Sequence, residues 1–141
     1  MKKTIRMFAL ALVIALSISL FASCGGATDI DLDGVDYSSV SLTIKESDFD
    51  KMEEFLKELE SGKYDRNVVK ITGENATRQS NCTILVKDGK GTGRGVSWEV
   101  IDGKYPDDYP ADGAKITITG VLVKNDSGAR VLMVPADKIE K

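Results

Sequence analysis

Glycines and cations alternate in Gly89-Lys90-Gly91-Thr92-Gly93-Arg94-Gly95, and no other run in the chain is better composed to meet a ligand. Its backbone amides and two positive side chains could cradle an anion. The spacing is not that of a P-loop, because no Gly-Lys-Ser/Thr follows at the required gap. The run also lies between two strand-like stretches, not before a helix, so no helix dipole would assist. A hairpin loop rimming a sheet face is the better reading, with Lys90 and Arg94 as candidate contacts. Trp98, Tyr105 and Tyr109 complete the candidate set. Their rings could stack on a sugar or a base. Trp98 shares a face with Val96 and Val100, which favours the core. Tyr105 and Tyr109 belong to Tyr-Pro-Asp-Asp-Tyr-Pro, a loop stiffened by Pro106 and Pro110. There they are placed either to be exposed or to pack the end of a barrel.

Two other constellations carry less. Asp29, Asp31 and Asp33 with Gly34 open like a calcium loop, since alternating carboxylates can converge on a hard cation where glycine permits the turn. The twelfth position of such a loop is Val40, where a bidentate glutamate is needed, so an acidic tether fits better. Cys82 alternates with Ile84 and Val86 and reads as a buried, unreactive thiol. The chain has no histidine. That removes the commonest general base, the usual serine and cysteine triads and most zinc sites. The 22 acidic residues include no pair that stands out from a solvated background. No enzyme, no cofactor and no metal site is expected.

The elements that must position these residues follow from hydrophobic period. Val40, Leu42 and Ile44 suggest a short strand. Phe49, Met52, Leu56 and Leu59 form one stripe at helical spacing. Ser47 or Asp48 can cap the start of that helix, and Gly62 can end it. From Val68 onward the pattern is β. Five strands are predicted around Val68–Ile71, Cys82–Val86, Val96–Val100, Ile116–Val123 and Val131–Val134. Turn signals separate them at Lys87-Asp88-Gly89, Ile101-Asp102-Gly103 and Asn125-Asp126-Ser127-Gly128. Near-regular short strands argue for a small barrel or sandwich, and a barrel removes exposed edges.

The N-terminus has a basic start (Lys2, Lys3, Arg6), an apolar stretch from Met7 to Leu20, and small residues before Cys24. That is the pattern of a secretory leader, too short for a membrane span of roughly 20 residues. The run Leu20-Phe21-Ala22-Ser23-Cys24 resembles the lipobox of bacterial lipoproteins. The resemblance implies cleavage before Cys24, a diacylglyceryl group on its sulfur, and an acylated (palmitate) amino terminus. Residues 1–23 would then be the cleaved signal peptide, 24–39 a lipidated cysteine with an acidic tether, and 40–141 the domain. The mature chain, Cys24–Lys141, has 118 residues, with 16 basic and 22 acidic side chains. A formal charge of −6 repels phosphate backbones, so no nucleic-acid partner is expected.

Tyr64-Asp65-Arg66-Asn67-Val68-Val69-Lys70-Ile71-Thr72-Gly73 and Tyr109-Pro110-Ala111-Asp112-Gly113-Ala114-Lys115-Ile116-Thr117-Ile118-Thr119-Gly120 share one form: tyrosine, short turn, alternating strand, glycine. With the lipobox, the helix and the Tyr-Pro loop, the chain resembles a group of short bacterial lipoproteins with an OB-fold-like domain. The likeness implies a fold, not an activity. Where those relatives carry adjacent cysteines, this chain has Gly91-Thr92-Gly93-Arg94, so no thiol role transfers.

The expectation is a mainly β protein: a five-stranded OB-like small barrel preceded by one amphipathic helix, after a cleaved lipoprotein signal peptide. It would be anchored through Cys24 on the extracytoplasmic face of a cell membrane. Its work would be non-enzymatic binding of a protein partner or envelope glycan, through Lys90, Arg94, Trp98, Tyr105 and Tyr109. The alternative is metal-ion or anion binding by the tethered domain; an enzyme using carboxylates ranks below both.

Overall fold

A computed structural model describes residues 30–141 except 79, 80 and 104, with the side chains of 77, 78 and 81 set aside. The leader, Cys24 and Asp29 therefore lie outside the described residues. Among the described residues seven strands and one α-helix follow in order: β1 Val40–Ile44, α1 Phe49–Glu58, β2 Val68–Arg78, β3 Asn81–Lys87, β4 Gly93–Val100, β5 Lys115–Lys124, β6 Arg130–Val134 and β7 Ile139–Glu140. Among the described residues no helix is long and apolar enough to cross a membrane.

Five strands close into the OB-like barrel that the alternating pattern predicts. Their order around the ring is β2-β3-β4-β6-β5, and β5 returns to β2. All neighbours are antiparallel except β4 and β6, which run parallel. β1 lies parallel to the first half of β2, matching Val40 with Val68 and Ile44 with Ile71. Inward residues alternate with outward ones, as the pleat requires. Val69 and Ile71, Ile84 and Val86, Val96 and Trp98, Ile116 and Ile118, and Leu132 and Val134 fill one core.

Helix α1 plugs the barrel end where β4 and β6 begin. It packs on β3 and β4; its Glu53 pairs with Arg94 at the start of β4, and Glu60, just past the helix, pairs with Arg130 at the start of β6. Met52 and Phe55 are fully buried there, and Phe55 meets the Tyr64 ring at 5.3 Å. Each such side chain contributes about 1.5–3 kcal/mol by leaving water. Asp48 stands at the N-cap but does not cap with its side chain. Its carboxylate accepts the Lys45 amide at 3.0 Å and so closes the turn between β1 and α1. Past the helix the chain turns at Gly62, whose φ of 75° suits glycine.

The stretch assigned to an acidic tether is different in its second half. Ile30, Leu32, Val35 and Tyr37 pack on a second apolar cluster on the outside of the barrel, made by Val68, Val121, Val123, Val131 and Met133. Arg66 pins this strap by donating to the Asp31 carbonyl at 2.7 Å. The aspartates between the apolar residues fold their own turns. Asp31 accepts the Asp33 amide, and Asp36 accepts both the amide and the hydroxyl of Ser38. The Ser38 hydroxyl, then its amide, hold the Asp36 carboxyl below its ordinary range.

Candidate ligand face on β3 and β4

The outward residues of β4 are Gly93, Gly95, Ser97 and Glu99. Three of the four are small, so β4 itself adds little side-chain bulk to the sheet's outer face, and the Thr83 and Leu85 side chains of β3 lean over Gly95. A hollow of about 470 Å³ lies over that stretch, with Ala76 of β2, Thr83, Leu85 and Lys87 of β3, and Gly91, Gly93 and Gly95 as its lining. A second hollow, about 300 Å³, continues along the same strand past Ser97 and Glu99. Its far wall is the β5–β6 turn, with Asn125, Ser127 and Ala129, and the base of Arg130. The two glycines differ. A Cβ at Gly95 would stand 2.5 Å from the Ile84 carbonyl oxygen, so only glycine lets β3 and β4 approach here. A Cβ at Gly93 would meet nothing closer than 3.7 Å, so this position is open.

The turns that rim this face are internally closed. Asp88 accepts the amides of Lys90 and Thr92, each at 2.8 Å. Those are the amides an anion would need, and the loop's own carboxylate occupies them. Asn125 plays the same part in the β5–β6 turn, accepting the Ala129 amide and the Ser127 hydroxyl.

The structure divides the sequence-predicted contacts. Lys90 is exposed on the loop beside the glycine hollow. Tyr105 keeps 45 % of its surface in solvent, with its hydroxyl turned in toward Cys82 at 3.9 Å. Arg94 leaves the set: alternation points it to the opposite side from Gly93 and Gly95, where it pairs with Glu53 of α1 at 3.5 Å. Trp98 also leaves it. Its side chain is wholly buried and offers no ring face to a ligand. Tyr109 stacks on Trp98 with centroids 5.9 Å apart and closes the second barrel end. Residue-type reasoning missed Thr83, Leu85, Ser97 and Glu99. The signal available for them was the two-residue alternation of small outward residues in β4.

Beneath Tyr105 lies a small polar cluster. The Tyr109 hydroxyl meets the Cys82 sulfur at 2.9 Å. Asn75, fully buried, donates to the carbonyls of Pro110 and Ala111 and ties the Tyr-Pro loop to β2. Burial, then the neighbouring Cys82, pushes the Tyr105 hydroxyl up to about 12, and Tyr109 moves the same way. Both phenols are therefore neutral at ordinary pH and act as hydrogen-bonding and stacking groups. Among the described residues no three His, Cys, Asp or Glu side chains converge to hold a metal ion. A further hollow of about 250 Å³ is lined by Glu46, Glu74, Lys87 and Lys115, but its cations are paired with its carboxylates at 2.6 and 2.8 Å. No protein-family model matches the chain, and no curated protein matches it.

Proposed function

We propose that this protein is a lipid-anchored, non-enzymatic binding module on the extracytoplasmic face of a bacterial cell membrane, and that the face over β3 and β4 grips an envelope glycan. The observation that carries the reading is the side-chain-poor β4 surface, Gly93-x-Gly95-x-Ser97-x-Glu99, with hollows along its length. The glycine hollow offers a sugar ring the apolar Leu85 side chain to lie against. Hydroxyls and a carboxylate along the edge supply hydrogen bonds to sugar hydroxyls, and the exposed Tyr105 supplies an aromatic face. A protein partner fits this surface less well. Interface centres are apolar and aromatic, whereas among the described residues Val40 and Tyr105 are the large hydrophobic side chains that stand exposed. Anion capture by the glycine loop is also disfavoured, because Asp88 already holds the loop amides.

The test is thermal unfolding of the mature chain against peptidoglycan fragments and oligosaccharides. A ligand at 100 times its Kd adds about 2.7 kcal/mol, which raises the midpoint by several degrees. Gly93→Thr places a side chain in the hollow without a backbone clash, so it should leave the unliganded midpoint in place and abolish the shift. No shift with any glycan, together with cross-linking of a photoreactive group at Lys90 to a membrane protein, would replace the glycan with a protein partner.

A further inference from the structure

The strap limits how far the domain can stand from its anchor. Had residues 24–39 been a free spacer, fifteen Cα steps would have reached about 50 Å at full extension. Ile30 is already packed on the barrel with Leu32, Val35 and Tyr37. Only residues 25–29 separate it from Cys24, and those six steps reach about 20 Å at most. The point where the strap meets the barrel is therefore fixed close to the lipid.

That point has a definite address on the ring. The strap covers the outward residues Val121 and Val123 of β5 and Val131 and Met133 of β6, with Val68 at the start of β2. Ile30 and Asp31 line a hollow with Asp65, Arg66, Val123 and Lys124. In the ring order β2-β3-β4-β6-β5, the strand opposite the β5–β6 pair is β3. The glycine hollow is centred on β3, through Thr83, Leu85 and Lys87.

We infer that the strap orients the barrel: the β5–β6 side faces the membrane within about 20 Å, and the glycine hollow over β3 is presented away from it. The inference rests on the lipid-anchor reading and deepens it. The strap is an orienting clamp, and the surface it displays is one that a ligand in the surrounding envelope can reach without passing the lipid headgroups.

The experiment uses the lipidated chain purified from bacterial membranes and placed in phosphatidylcholine vesicles containing a headgroup-linked energy acceptor. One donor dye is attached at Lys124→Cys, beside the strap, and in a second protein at Lys90→Cys, on the glycine loop. Cys82 is buried and stays unlabelled in the folded parent. The expected result is a greater loss of donor emission at position 124 than at 90. A companion variant, L32S with Y37S, frees the strap and should shrink that difference while the circular dichroism of the barrel is kept. Equal transfer at the two positions, or greater transfer at 90, in vesicle-bound protein would overturn the orientation. Failure of the protein to float with vesicles, or flotation unchanged in Cys24→Ser, would instead overturn the lipid anchor.

Discussion

At the scale of single residues, the sharpest contrast is between two glycines two places apart. Gly95→Ala drives a methyl group against the Ile84 carbonyl oxygen and a Leu85 methyl, both 2.5 Å away. Overpacking of this kind costs about 1–3 kcal/mol, and the thermal midpoint should fall by several degrees. Gly93→Ala makes ordinary contacts at 3.7 Å and should leave the midpoint within about a degree of the parent. Equal losses at both positions would remove the distinction between a packing glycine and an open one. Tyr105 gives a second prediction. A phenol that stays neutral in the fold above its ordinary value of 10 adds stability that is complete below pH 10 and is lost as pH rises through about 12. Denaturant midpoints should fall across that window. The 295 nm absorbance should show tyrosinate forming later in the native protein than in the unfolded chain. The Tyr105→Phe variant should lose part of the difference. Reading residue types alone put Arg94 and Trp98 among the contacts, because charge and aromaticity by themselves carry no direction. The alternation that buried Trp98 with Val96 and Val100 was legible, and the same parity carried one residue further sends Arg94 to the helix side.

At the scale of elements, α1 and the strap do the same work on different sides of one sheet. Phe55→Ala removes a fully buried ring from the barrel end and should cost about 3–5 kcal/mol. Leu32→Ala on the half-buried strap should cost about 1–2 kcal/mol, below the ~2–5 for a fully buried leucine. Urea unfolding of both variants checks the pair. A strap variant as stable as the parent would mean that residues 30–37 contribute no packing energy. The helix and the five barrel strands were readable because their apolar residues keep a clean period of 3.6 or 2. The strap was not, since its composition is dominated by Asp31, Asp33 and Asp36. Ile30 and Leu32, then Val35 and Tyr37, do alternate, but each pair is too short to outweigh the acids. Those acids prove to be turn-formers whose oxygens accept neighbouring amides.

At the scale of the whole molecule, two cores share the wall between them. Leu122 of β5 points into the barrel, while Val121 and Val123 point under the strap, and all three are buried. Coupling through that strand should make opening cooperative. Cys82, 6 % exposed, reports on it: its reaction with a thiol reagent should begin in urea together with the loss of circular dichroism. Reaction well before that transition would show that the Tyr-Pro end opens on its own. The closed ring was legible in outline from strand count and spacing. The parallel β4–β6 contact and the docking of β1 on β2 were not, because partners distant in sequence leave no local period. The same distances govern how the chain reaches its fold. β2 closes the barrel on β5, bringing Thr72 and Thr117 to 2.8 Å across 45 positions of sequence. Neither core can be completed until β5 and β6 are present. Native contacts so remote must wait for slow loop closure, which places the chain among the late folders. For a protein proposed to work on the far side of a membrane, late folding would leave the chain extended, and so able to be exported, until its last strand is made.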